Sequence, residues 1–130
     1  MAGLRKRPFV LVVEDDPALG DVIVTALKDD GLDAKLAQDG DEAMRDVDDL
    51  APSAMVLDLM MPRRDGFSVL RELRADGRIS HLPVVVVTAI FGLSERLYAT
   101  ELGAADYVTK PFDLDDLVSR VKALLSPATA

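Results

Sequence analysis

The chain has 130 residues, which predicts a single domain, and its 49% of hydrophobic residues is enough for a core. Its 23 acidic residues outnumber 15 basic ones, giving a formal net charge of −8, so nucleic-acid phosphates would repel it and direct nucleic-acid binding is not expected. It has no cysteine, which excludes a disulfide scaffold, a thiolate metal site and a cysteine nucleophile.

The predicted strands differ in whether apolar and polar side chains alternate along them. Continuous apolar runs rich in β-branched residues lie at residues 9–13, 54–57 and 83–87, and such runs are typical of the central strands of a parallel sheet. Residues 33–37 and 106–109 alternate apolar and polar side chains, which indicates strands nearer the sheet edges.

A helix is predicted after each strand, because apolar residues recur there at three- and four-residue spacing. The first helix has Asp16 as its N-cap, Pro17 at its first position and Gly31 at its end. The others are predicted around residues 43–47 (a shorter helix), 67–73, 94–102 and 114–125.

This alternation predicts βαβ units with right-handed crossovers, and therefore a parallel sheet with helices on both faces. We expect one α/β domain over residues 8–125, with short flexible ends at residues 1–7 and 126–130. The longest apolar run is shorter than the roughly 18 residues of a membrane span, and the basic first residues lack a signal-peptide pattern. We therefore expect a soluble, cytoplasmic protein that does not bind a membrane.

Charged and polar residues follow four of the five predicted strands, at the edge where open sheets bind ligands. They are Glu14, Asp15 and Asp16 after the first strand, Asp58 after the third, Thr88 at the end of the fourth and Lys110 after the fifth.

Each of these residues alone fits an ordinary role; an acidic run, for example, favours a helix N-terminus. Together they indicate a site. Carboxylates that converge in one crevice repel one another unless a cation joins them, and Mg²⁺ prefers oxygen ligands. An ionised aspartate can accept a phosphoryl group whose oxygens a metal, an ammonium and a hydroxyl stabilise.

Four segments of the sequence resemble the receiver domain of bacterial two-component response regulators. They are VVEDDP at residues 12–17, VLDLMMPRRDG at 56–66, VTA at 87–89 and GAADYVTKPF at 103–112. Their order and spacing span essentially the whole chain, and the four together are highly specific. The resemblance implies a flavodoxin-like doubly wound (βα)5 fold, with a five-stranded parallel sheet of order 2-1-3-4-5.

The resemblance also implies a phosphorylation and metal site. Asp58 would be the phosphoacceptor, and the cofactor would be Mg²⁺. The metal would be bound by Asp15, Asp58 and the backbone carbonyl of Met60, with Glu14 acting through water.

Three further residues would respond to the phosphoryl group. Thr88 and Lys110 would bind it, and Thr88 and Tyr107 would form the switch. Lys110 and Pro111 would be joined by a cis peptide bond. The switch would alter the surface formed by the fourth helix, the fifth strand and the fifth helix.

The implied function is that of a signalling receiver. It would not be an enzyme beyond its own phosphorylation and slow self-dephosphorylation. Its partners would be a sensor histidine kinase or histidine phosphotransfer protein, and a downstream effector or a second copy bound through the altered surface. No direct contact with nucleic acid is expected.

Other classes fit less well. The acidic loop after the first strand would repel a flavin phosphate, and an aspartyl phosphatase would need a second aspartate where Met60 stands. No Walker-type or zinc-protease motif is present, and His81 is expected on the surface. One alternative stays open: an interaction module with the receiver fold that works without phosphorylation.

Overall fold

The computed structural model describes residues 7–62, 64–90 and 92–125. The predicted flexible ends lie outside these residues, apart from Arg7. Strands and helices alternate as predicted. They are β1 (Phe9–Val13), α1 (Pro17–Asp29), β2 (Asp33–Ala37), α2 (Gly40–Leu50), β3 (Ala54–Leu57), α3 (Gly66–Ala75), a short 3-10 turn (Arg78–Ser80), β4 (Val84–Thr88), α4 (Leu93–Glu101), β5 (Asp106–Thr109) and α5 (Leu114–Leu125).

The five strands form one parallel sheet of order β2-β1-β3-β4-β5, which confirms the expected fold. The apolar runs β1, β3 and β4 are central and buried along their whole length, whereas the alternating strands β2 and β5 lie at the edges. Since all strands are parallel, their carboxyl ends meet at one edge of the sheet.

Helices cover both faces of the sheet, and each central strand contributes alternate side chains to two hydrophobic cores. Val10 and Val12 of β1 pack with α1 and α5, whereas Leu11 and Val13 pack with α2, α3 and α4. The cores are almost entirely aliphatic, and burial on both faces fixes the position of each central strand.

The helix ends agree with the predicted caps. Asp16 accepts hydrogen bonds from the N–H groups of Ala18 and Leu19, at 3.0 and 3.5 Å, and Pro17 begins α1. The second helix is longer than predicted, because Asp39 caps it through the N–H of Glu42 at 2.8 Å. None of the helices in the described part of the chain is long and apolar enough to cross a membrane.

Candidate functional site

Three carboxylates and one ammonium converge at the carboxyl edge of the sheet. Glu14, Asp15 and Asp58 each offer an oxygen within 4.8 Å of those of the other two. The Lys110 ammonium lies 2.8 Å from Oε1 of Glu14 and 3.0 Å from Oδ2 of Asp58. These residues come from the ends of β1, β3 and β5, so the parallel topology brings together positions up to 96 residues apart.

Backbone hydrogen bonds continue past the strand ends and hold these residues in place. The N–H of Glu14 donates to Ala37 of β2 at 3.0 Å, and the N–H of Asp58 donates to Val13 of β1 at 3.0 Å. The N–H of Lys110 donates to Thr88 of β4 at 2.8 Å. Each side chain therefore extends from a fixed backbone position.

Burial and charge shift the pKa values of two groups in this cluster. Glu14 and Asp58 are only 3% and 4% exposed. Burial raises the pKa of Glu14, and the Asp58 charge adds to this increase, whereas hydrogen bonds from Lys110 and the Asp16 N–H oppose it. Burial lowers the pKa of Lys110, but its hydrogen bonds to Glu14 and Asp58 outweigh that effect, so its pKa is raised overall.

The chemistry of the cluster suits a hard divalent cation. Three carboxylates against one ammonium leave two negative charges uncompensated if all four groups are ionised. Oxygen donors at this density match the preference of Mg²⁺. The residues present therefore fit the metal that the sequence predicts.

Asp16 does not join this cluster, which corrects the expectation that all four acidic residues converge. Its carboxylate caps α1, and its own N–H donates to Oε2 of Glu14 at 3.0 Å. The helix-start interpretation of the acidic run is therefore right for Asp16, while Glu14 and Asp15 belong to the carboxylate cluster.

A second chain of contacts joins Thr88 to Tyr107. The buried Thr88 hydroxyl accepts a hydrogen bond from the N–H of Ile90 at 3.3 Å, and the Tyr107 hydroxyl donates to the carbonyl of Ile90 at 2.5 Å. The Tyr107 ring is buried, with the Arg96 guanidinium 5.8 Å from its centroid. Sequence reasoning missed Ile90 as a link because it acts through its backbone, which leaves no side-chain signal.

The loop between β3 and α3 completes the site. The N–H of Met60 donates to Oδ1 of Asp58 at 2.9 Å, while its side chain is 57% exposed. The sequence patterns give Gly66 no role, yet a Cβ there would lie 2.4 Å from the carbonyl oxygen of Asp58. The motif contains this glycine, but only the packing reveals why it is needed. The peptide bond between Lys110 and Pro111 is cis, as predicted.

The fold and this arrangement at the strand ends are those of a receiver. A model of the response regulator receiver domain family matches residues 10–122. The chain therefore belongs to the family of response regulator receiver domains, and the predicted resemblance is confirmed.

Its relatives include two named regulators. It is 39% identical over 118 residues to the DNA-binding dual master transcriptional regulator RpaA of Synechocystis sp., covering 91% of this chain and 49% of RpaA. It is 44% identical over 120 residues to the response regulator MprA of Mycolicibacterium vanbaalenii, covering 92% of this chain and 51% of MprA. The chain thus spans about half the length of the curated relatives it matches.

Solved structures agree with this assignment. The receiver domain of the Francisella response regulator 1452 is 34% identical, with a TM-score of 0.86, over 92% of this chain and 97% of that one. The BeF3-activated receiver domain of Klebsiella pneumoniae RstA is 29% identical, with a TM-score of 0.82, over 90% and 97% of the two chains.

Proposed function

We propose that this receiver accepts a phosphoryl group on Asp58 from the phosphohistidine of a sensor histidine kinase or a histidine phosphotransfer protein. The observation that carries the proposal is the Lys110 ammonium, which hydrogen-bonds to both Glu14 and Asp58 in a largely buried cluster. An interaction module that works without phosphorylation has no need to bury two carboxylates around one lysine at this cost in desolvation.

The cofactor of this transfer is Mg²⁺, in our proposal. Asp15, Asp58 and the backbone carbonyl of Met60 would hold it, and Glu14 would act through water. The metal would neutralise charge on the phosphoryl oxygens. The cluster of carboxylates supports this assignment, because it concentrates oxygen donors beside the phosphoacceptor.

In this transfer the protein mainly positions the reacting groups and stabilises charge, and it supplies little covalent chemistry. A carboxylate oxygen of Asp58 forms a bond to phosphorus as the bond from phosphorus to the histidine nitrogen breaks, and the imidazole leaves with that electron pair. Lys110 turns from the carboxylate to the transferred group and stabilises its negative charge. The Thr88 hydroxyl would move toward the phosphoryl group and donate its proton to a phosphoryl oxygen, and this shift would lengthen its hydrogen bond from the Ile90 N–H.

We further propose that phosphorylation alters the surface formed by α4, β5 and α5. The contacts of Ile90 with both Thr88 and Tyr107 support this proposal, because a shift of Thr88 removes a bond that holds the segment between β4 and α4. Tyr107 is buried, so the proposed switch changes its hydrogen bond to the Ile90 carbonyl rather than its burial. A downstream effector or a second copy would bind this surface.

Contact with nucleic acid is not part of the proposal for this domain. RpaA is named as DNA-binding, but this chain covers only 49% of it. The acidic charge of −8 disfavours binding of phosphates by the receiver itself.

The transfer is tested by incubation with Mg²⁺ and acetyl phosphate, followed by mass spectrometry of the intact protein. We expect a phosphoryl mass on the wild-type chain and none on Asp58→Asn, which keeps the shape of the side chain but lacks the anionic nucleophile. EDTA should abolish the gain. A wild-type chain that gains no phosphoryl mass would favour the phosphorylation-independent interaction module.

The switch is tested by amide hydrogen exchange with and without beryllofluoride, a phosphoryl mimic. We expect the largest changes in α4, β5 and α5, and none in Asp58→Asn treated in the same way. Changes confined to α2 and α3 would contradict the proposed surface.

A further inference from the structure

Arg64 lies in the loop that leads from the phosphoacceptor to α3, and its side chain is only 22% exposed. This loop contains Met60, whose N–H donates to Asp58. It closes where the N–H of Gly66 donates to the carbonyl of Leu59 at 3.1 Å. Whatever fixes this loop also fixes the backbone beside the phosphoacceptor.

The guanidinium of Arg64 binds groups on two helices. On α3, its Nε donates to Oγ of Ser68 at 3.2 Å, and its Nη2 donates to Oε1 of Glu72. Toward α2, its Nη1 lies 3.6 Å from Oδ1 of Asp41. A lysine has one point charge and cannot reproduce these three directions.

A second arginine extends this arrangement into a network. Arg78 lies 3.6 Å from Oε2 of Glu72 and also pairs with Asp48 of α2. Glu72 therefore stands between two arginines, each of which also pairs with an acidic residue of α2. A network of this kind holds its members more firmly than an isolated surface pair does.

The backbone of Arg64 is in contact as well. A Cβ on Gly40, the first residue of α2, would lie 2.7 Å from the carbonyl oxygen of Arg64 and 2.8 Å from its Cγ. The absence of a side chain at Gly40 therefore lets α2 pack directly on Arg64. The loop is held on this side by packing and on the other by hydrogen bonds.

We propose that Arg64 is a positioning residue for the Asp58 site: by tying the loop to α2 and α3, it holds the Met60 backbone where the N–H reaches Asp58 and the carbonyl serves Mg²⁺. This inference rests on the proposed function. Arg64 touches neither the metal nor the phosphoryl group and acts through the backbone of Met60. It also explains why a charged side chain occupies a mostly covered position in this loop.

The test compares Arg64→Met, which keeps the aliphatic stem but removes the guanidinium, with Arg74→Met. Arg74 is an exposed α3 arginine that donates to the carbonyl of Glu101 at 2.7 Å. Arg74→Met therefore makes the same change in net charge as Arg64→Met, but outside the loop. By calorimetric titration, Arg64→Met should bind Mg²⁺ about tenfold more weakly. This is the low end of the loss in metal affinity that follows removal of a residue supporting a metal ligand. Arg74→Met should bind like the wild type.

A site-specific measurement separates positioning from general stability. In Arg64→Met, the amide of Met60 should exchange faster with solvent, while the amide of Ile90, which is bonded to Thr88, should stay unchanged. Arg64→Lys should give an intermediate Mg²⁺ affinity.

The two possible failures are distinct. If Arg64→Met binds Mg²⁺ as tightly as the wild type and protects the Met60 amide equally, the positioning role is wrong and the phosphoacceptor proposal stands. If the wild-type chain itself binds no Mg²⁺ and gains no phosphoryl mass, the proposed function fails and this inference fails with it.

Discussion

If Asp58 is phosphorylated as proposed, we expect two apolar residues to flank the approach of a hydrolytic water. Met60 and Ile90 stand two residues beyond Asp58 and Thr88. Both line a mostly apolar groove, together with Leu59, Met61, Asp65 and Phe67. Neither side chain can orient an attacking water. A long-lived phosphoryl group is the expected consequence.

The prediction is that Met60→Asn with Ile90→Glu shortens the lifetime of the phosphorylated form, since polar groups there can position the water. The measurement is loss of label from purified protein. The matched control, Met60→Leu with Ile90→Val, keeps both positions apolar and should decay like the wild type. A polar double variant that decays no faster would mean that these positions do not limit hydrolysis.

Tyr107 gives a prediction about pH. Burial raises its pKa above the ordinary value of 10.0, the nearby Glu95 charge adds to this, and Arg96 opposes it. The neutral phenol therefore stabilises the fold fully below about pH 10, and this contribution is lost as the pH rises through the folded-state pKa.

The chain has two tyrosines, so the measurement uses Tyr98→Phe, in which Tyr107 is the one that remains. Its tyrosinate absorbance should appear at higher pH in the folded than in the urea-unfolded protein. Above roughly pH 10, as the pH rises through the folded-state pKa, Tyr107→Phe should lose less stability than the wild type. Coincident titrations of folded and unfolded protein would contradict the assigned burial.

At the scale of elements, Gly66 and Gly20, two of the glycines in helices, differ in what faces them. Gly66 at the start of α3 faces the backbone of Asp58 and Leu59, whose atoms would lie 2.4 and 2.8 Å from a Cβ added there. Gly20 within α1 faces the flexible side chain of Leu36, whose Cδ1 would lie 2.5 Å from a Cβ. A side chain can move aside, whereas a strand-end backbone cannot do so without moving the site.

Gly66→Ala should therefore destabilise the fold by about 1–3 kcal/mol, the usual cost of overpacking. Gly20→Ala should stay within about 1 kcal/mol of the wild type, because the gain in helix propensity offsets the shift of Leu36. Urea midpoints measure both. Equal midpoints for the two variants would mean that the loop after β3 yields easily.

The whole molecule should respond to Mg²⁺, because a ligand that binds only the native state stabilises it. At free Mg²⁺ of about ten times its dissociation constant, the gain is about 1.4 kcal/mol. Asp15→Asn should reduce the resulting rise in melting temperature. Asp16→Asn is the matched control, since asparagine still caps α1 and Asp16 lies outside the carboxylate cluster.

The expected result is a reduced Mg²⁺ response in Asp15→Asn alone. Loss of the response in both variants would mean that net charge, rather than coordination, governs the effect. A wild-type melting temperature unmoved by millimolar Mg²⁺ would contradict the metal site.

The sequence determined the order of elements, the strand positions and the residues at the strand ends, because these depend on local periodicity and on the parallel topology it implies. β1, β3 and β4 are recognisable as central strands from their unbroken apolar runs alone. The family resemblance added the strand order. The boundaries of the predicted domain, 8–125, remain a prediction, and the family match covers residues 10–122.

Only the tertiary structure decided which of the acidic residues converge and what holds the loop beside Asp58. Asp15 and Asp16 are adjacent in sequence, yet one joins the carboxylate cluster and the other caps a helix, since the direction of each side chain depends on where the backbone turns. Ile90, Gly66 and Arg64 act through backbone atoms or through contacts between helices. Such contacts depend on distances between elements, which no local pattern in the sequence encodes.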